Sequence, residues 1–186
     1  GDVTSTNGKA ELNSKGGNVT TKKVTADQAV DIDAEQDITA GGNLTSNNGD
    51  ITLDAGGSIT TNGTVNALNN VIANANGDIN TIGDVTAQTG KAKLNSSTGN
   101  VNTGNVTANN DVDIDAAKDI TASGNLTSTN ANVDLLAGGS ITTQGTVTAH
   151  DNVIANANGN INTNSDVTAA NGKAKLNSNT GNVNTG

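Results

Sequence analysis

Aliphatic residues recur along the chain in a short rhythm, spaced by Gly, Asn, Ser and Thr. The first full segment, KAELNSKGGNVTTKKVTADQ, has two alternating apolar positions, Ala10 and Leu12, then a polar stretch and a second anchor at Val19. A further short turn leads to a third anchor at Val24. The next three segments keep this order, with Val30/Ile32, Ile38 and Leu44, then Ile51/Leu53, Ile59 and Val65, then Val71/Ala73, Ile79 and Val85. Around each anchor apolar and polar residues alternate, as in ITT or VTA, which is the period of a strand. No segment carries a helical stripe. The pattern predicts three strands of three to five residues in every 20 or 21 residues, joined by Gly- and Asn-rich turns.

A longer period lies over the short one. KAELNS at 9–14 returns as KAKLNS at 91–96 and again at 173–178, two steps of 82 residues. The chain therefore reads as one domain, 1–186, made of a partial unit 1–8, units 9–90 and 91–172, and a partial unit 173–186. Because it opens within a repeat, it is read as a segment of a longer array. One coil of about 20 residues buries too little surface to stand alone, whereas stacked coils bury a continuous aliphatic column and pair each strand with its equivalents above and below. The prediction is an all-β chain, a single-stranded right-handed parallel β-helix (β-solenoid) of about nine three-strand coils. At ~4.8 Å per coil the rod is about 43 Å long. The additional residue of the 21-residue segments falls at coil junctions, at Gly8, Gly49, Gly90 and Gly172, with Ala131 the exception. Left-handed turn conformations, which Gly adopts without steric cost, are the expectation there.

Composition agrees with a narrow core. The chain has no Phe, Tyr, Trp, Met, Cys or Pro, so every larger apolar side chain is Val, Ile or Leu, while Asn reaches 33 and Gly 23. The formal net charge is −9 and Arg is absent, a poor match to nucleic acid, which needs basic patches and stacking rings. Without Cys there is no disulfide framework or thiolate chemistry. No stretch approaches the ~18 consecutive apolar residues of a membrane span.

Outward positions supply the candidate chemistry. The residue after each third anchor is Thr4, Thr25, Thr45, Asn66, Thr86, Thr107, Thr127, Thr148 and Thr168, a ladder with one interruption. Stacked hydroxyls and methyls are a candidate surface for ice or a host ligand, although Thr is also simply a good strand residue that pairs well with itself. The neighbouring rank, from Asp2 to Asp166, is charged and mixed. On the first strands, Glu11, Asp31, Asp33 and Asp54 form the only candidate calcium site, since Ca²⁺ takes oxygen ligands. In the second unit Lys91 and Lys93 are expected beneath Asp111 and Asp113, as ion pairs. No other cofactor is expected. His150, the single His, lies at a coil junction without a nucleophile or orienting partner in sequence, so no enzymatic activity is expected. Ile72, Ile154 and Leu136 should point outward, as contact points for lateral association of rods or as ordinary scattered apolar surface.

The coils AVDIDAEQDITAGGNLTSNNGDITLDAGGSITTNG and DVDIDAAKDITASGNLTSTNANVDLLAGGSITTQG resemble the hemagglutinin-type repeats of filamentous hemagglutinin and related two-partner-secretion exoproteins. The resemblance spans the whole chain and lies in structural motifs. It implies a secreted or surface-anchored fibre of a Gram-negative bacterium, exported through an outer-membrane transporter and acting at host or neighbouring-cell surfaces without inserting into the membrane. The chain carries no RGD tripeptide, basic patch or recognisable toxin segment, so by this resemblance it is shaft rather than tip. The alternative is a binding module that uses the Thr ladder or the carboxylate face.

Overall fold

A computed structural model describes all 186 residues as a β-solenoid with no helix. Its 27 strands form three parallel nine-stranded sheets, and every neighbour in a sheet is the equivalent strand of the next coil. The first-strand sheet runs from Ala10–Ser14 to Ala174–Ser178, the second-strand sheet from Val19–Thr21 to Val183–Thr185, and the third-strand sheet from Val3–Ser5 to Val167–Ala169. Register follows the anchors: Ala10 meets Val30, Leu12 meets Ile32, Val19 meets Ile38 and Val24 meets Leu44.

Alternation of the strands gives one interior. Forty-three buried residues, all Ala, Val, Ile or Leu, form a single cluster along the rod. The second strands add a polar rank that their anchors did not reveal: Thr21, Thr61, Thr81, Thr103, Thr143 and Thr163 also point inward, with Ala40 and Ala122 between them. Thr81 and Thr103 share a hydroxyl hydrogen bond of 2.7 Å, whereas the hydroxyls of Thr61, Thr143 and Thr163 have no protein partner. The methyl of Thr fills the space that Ala leaves, and an orphaned hydroxyl costs about 1–3 kcal/mol.

The turns are bonded as thoroughly as the strands. Of 129 backbone–backbone hydrogen bonds, 65 lie outside the strand ladders, and many join a turn to its equivalent one coil away, as Gly57 N–H to the Gln36 carbonyl and Gly77 N–H to that of Gly57. No residue has positive φ, which corrects the reason for the junction glycines. They sit at the expected turns, but what excludes a side chain at Gly49, Gly90 and Gly172 is stacking. A Cβ on Gly49 would lie 2.8 Å from the backbone nitrogen of Ala29, and one on Gly172 2.6 Å from the Asp151 carbonyl oxygen.

Coils also differ in a way that a uniform 20-residue segment hides. In the KAKLNS coil the turn after Ala92–Ser96 has four residues and the turn between Val101–Thr103 and Val106–Ala108 has two; one coil later both turns have three. One residue has moved from the second turn to the first, leaving the combined length of the two turns unchanged. Ser96 accounts for the longer turn: its hydroxyl accepts the Gly99 N–H at 3.0 Å and donates to the Gly77 carbonyl at 2.7 Å. Ser128 does the same for the four-residue junction at Ala131, accepting that residue's N–H at 3.2 Å.

Candidate functional site

The third-strand Thr rank is continuous in space. Thr4 pairs with Thr25, Thr25 with Thr45, Thr86 with Thr107, Thr107 with Thr127, Thr127 with Thr148, and Thr148 with Thr168; Asn66 fills the gap between Thr45 and Thr86. Each strand is three residues long and contributes one outward side chain, so the rank is one residue wide. Most of these threonines are only half exposed, since each is flanked by its copies above and below, and the Thr25 hydroxyl is buried without a protein partner. The second-strand sheet carries an outward rank that the anchors did not disclose, Thr20, Thr39, Thr60, Asn80, Asn102, Thr121, Thr142, Asn162 and Asn184. Within it Asn102 donates to Asn80 at 2.8 Å and Asn184 to Asn162 at 2.7 Å.

At the turns, polar side chains are consumed by the fold. Asn18, Asp37, Ser58, Asp78, Asn100, Asp119, Ser140, Asn160 and Asn182 occupy equivalent positions before the second strand. Each accepts the backbone N–H of the next member, at 2.6–3.1 Å, without a break. The rank from Asp2 to Asp166, charged and mixed in sequence, makes the same kind of bond at four of its eight steps: Asp2 accepts from Lys23, Asn43 from Thr64, Asn105 from Asn125 and Asn125 from Thr146. A third rank precedes the first strand, where Asp50, Asn70, Asp111, Asn132 and Asn152 accept from the coil that follows. Asn, Asp and Ser share one trait here, a side-chain oxygen close to the backbone.

The carboxylates fall on the first-strand face. Glu11 pairs in register with Asp31, and Asp33 with Asp54. Glu11 binds Lys9 at 2.6 Å, an exposed contact whose hydrogen bond and charge lower the Glu11 pKa and raise that of Lys9. Asp54 accepts from Asn74 at 2.7 Å, and Asp33 lies 3.5 Å from the Asn13 amide. No group of three or more His, Cys, Asp or Glu comes close enough to hold a metal ion. In the second unit Lys93 stands 3.2 Å from Asp113 and 3.9 Å from Asp115, as expected for the first of these. Lys91 does not pair with Asp111. Its position lies in the turn, and the Asp111 carboxylate accepts both the backbone N–H and the side-chain amide of Asn132, at 3.1 and 3.2 Å.

No family model, curated protein or solved structure matches the chain. The structure also places the remaining candidates. His150 is exposed, with Nδ1 2.9 Å from Asp151 and Nε2 3.0 Å from the Asn171 amide; both neighbours belong to coil junctions. Ile72 and Ile154 point outward and are half covered by their ladder neighbours. Leu136 is 55% exposed, and Ile82, which the strand pattern does not single out because it lies in a turn, is 70% exposed.

One electrostatic feature is testable. Asp134 is stacked between Asp113 and Ile154. Desolvation, followed by the charges of Asp111, Asp113 and Asp115, raises its pKa above the ordinary carboxylate value, and Asp115 is raised for the same leading reason. An acid that holds its proton more tightly when folded contributes stability that is complete below the ordinary carboxylate pKa and disappears as pH rises through the raised folded one. Asp134→Asn is therefore expected to melt at or above the wild-type temperature at about pH 7, with the gap closing towards about pH 4. Paired thermal scans at the two pH values check this; a variant that melts well below wild type at neutral pH contradicts it.

Proposed function

We propose that the chain is a structural shaft segment of a secreted or cell-surface bacterial filamentous adhesin, extending and presenting functional domains located elsewhere. The observation that carries this reading is the use of the polar turn residues: three ranks of Asn, Asp, Ser and Thr supply coil-to-coil hydrogen bonds. The resemblance of the coils to filamentous hemagglutinin-type repeats supplies the secretion route, with an outer-membrane transporter as export partner and a host or neighbouring cell as the surface reached. Nothing in this role asks for catalysis or a cofactor.

The in-register Thr rank favours a second reading, in which the shaft itself binds a host ligand or ice. Replacing Thr86 and Thr107, paired neighbours at mid-rod, with Lys separates the two. Under the shaft reading the folded double variant adheres as the parent fibre does. Loss of adhesion or of ice-growth inhibition, with the circular dichroism spectrum unchanged, assigns binding to the segment and overturns the shaft reading. Deleting 91–172, four coils, should shorten the rod by about 19 Å at ~4.8 Å per coil.

A further inference from the structure

Asn-Gly pairs look alike in sequence, but the coils treat their amides differently. Four such pairs have a coil both below and above them: Asn48–Gly49, Asn62–Gly63, Asn76–Gly77 and Asn158–Gly159. In three of them the glycine N–H is bonded. Gly49 donates to the Ser46 hydroxyl at 3.0 Å, Gly77 to the Gly57 carbonyl at 2.8 Å and Gly159 to the Gly139 carbonyl at 2.7 Å. Asn62–Gly63 lies in the other kind of turn, between Ile59–Thr61 and Val65–Ala67. There the Asn62 N–H reaches the Ala40 carbonyl at 2.9 Å and the Thr64 N–H reaches the Asn43 side chain at 3.1 Å. The Gly63 N–H between them has no protein partner. The Asn62 side chain is exposed and free, whereas that of Asn48 donates to Asp27 at 3.0 Å.

We infer that Asn62 is a site of spontaneous deamidation, so that the first 82-residue unit ages chemically where the second does not. The Gly63 nitrogen gives up its proton and attacks the Asn62 side-chain carbonyl carbon. A bond from that nitrogen to Cγ forms, the Cγ–Nδ2 bond breaks, and ammonia leaves with the proton. Water then opens the five-membered succinimide at one of its two carbonyls. One opening leaves aspartate at this position; the other leaves isoaspartate, whose backbone runs through Cγ. One water is consumed, one ammonia is released, and no oxidant enters. Glycine has no side chain to obstruct the approach. A bonded N–H is withheld from the attack, because its hydrogen bond must break first.

The second unit supplies the contrast. SITTNG in the first unit becomes SITTQG in the second, with Gln144 before Gly145 in place of Asn62 before Gly63. The Gly145 N–H is equally free, but closing on Gln makes a six-membered imide, which forms far more slowly. The turn also packs without slack. A Cβ on Gly63 would lie 2.5 Å from the Gly42 carbonyl carbon, and one on Gly83 2.4 Å from the Gly63 carbonyl oxygen. Isoaspartate adds a backbone methylene between those layers, so an aged coil no longer matches its neighbours. The inference concerns the covalent chemistry of one turn and stands whether or not the shaft role is correct.

The test incubates the folded chain in mildly alkaline buffer and maps its peptides by mass spectrometry, with fragmentation that separates aspartate from isoaspartate. Conversion at Asn62 should run several-fold faster than at Asn48, Asn76 or Asn158. In concentrated urea the four rates should converge, because each dipeptide is then free of the fold. Gln144→Asn should convert at that position as fast as Asn62 does. Material converted at Asn62 should unfold at a lower urea midpoint than fresh protein, while Asn62→Gln should keep its midpoint through the same incubation. Equal rates at Asn62 and Asn76 in the folded chain overturn the inference, as does a Gln144→Asn variant that stays intact at that position. An order of rates that persists in urea assigns the difference to flanking sequence and overturns it too.

Discussion

Ile114→Ala is expected to destabilise the rod by about 2–5 kcal/mol, the cost of removing a large buried aliphatic and leaving a cavity. Ile114 is fully buried near mid-rod, with Leu94 below it and Leu135 above. The core is one column of stacked residues, so a void there cannot be filled from the sides. Stability in such a rod is the sum of coil and interface contributions. A weak interface in the middle therefore uncouples the two halves as well as lowering the total. Urea denaturation should show a lower midpoint and a shallower or two-step transition. Ile82→Ala should cost much less, because Ile82 lies in a turn outside the column and is already 70% exposed. Equal losses at the two positions would mean that the column is not the source of cooperativity.

The second large effect concerns glycines that look alike in sequence. Gly138→Ala should destabilise by about 1–3 kcal/mol, the range for forcing extra atoms into a filled space. Its Cβ would lie 2.1 Å from the Ala117 carbonyl oxygen, a backbone atom of the coil below that belongs to a bonded turn. Gly56, 82 residues earlier, meets the Glu35 carbonyl oxygen at the same distance. Gly16→Ala should be neutral or stabilising by about 0.4–1 kcal/mol, since a Cβ there has nothing within 4 Å and φ is not positive, leaving only the reduced freedom of the unfolded chain. Midpoints for the two variants measured side by side decide the matter. If Gly16→Ala proves as harmful as Gly138→Ala, stacking is not what selects glycine in these turns.

These two cases also mark how far the sequence could be read. Alternation along a strand reports one thing, which side of the backbone faces the interior, and it placed Val24, Val30, Ile32, Ile38 and their equivalents as far as Ile161 correctly in the buried column. The Thr rank follows from the same register. Turn residues report less, because Asn, Asp, Ser and Gly serve several local conformations equally well. Gly49 could have been chosen for a left-handed turn or for close approach, and only the position of Ala29 beneath it distinguishes the two. Asp111 was open to an ion pair with Lys91 or a bond to the next coil, and turn geometry decided for Asn132. The inward Thr61 and Thr143 were hidden for a related reason: Thr is at home on either face of a strand, and Ala at the same position in other coils disguises the rank.

The ranks of side-chain acceptors have a mechanical consequence. They and the strand ladders connect one coil to the next, so the bonds that resist separation of the ends lie along the rod. A pull applied at the two termini passes through every coil but is concentrated on the few bonds nearest each point of attachment, so the outermost coil peels first. Each event releases about 20 residues, or roughly 70 Å of extended chain, in exchange for ~4.8 Å of rod. Under tension the molecule would lengthen in uniform steps while its remaining coils stay folded, a tether that yields gradually instead of snapping.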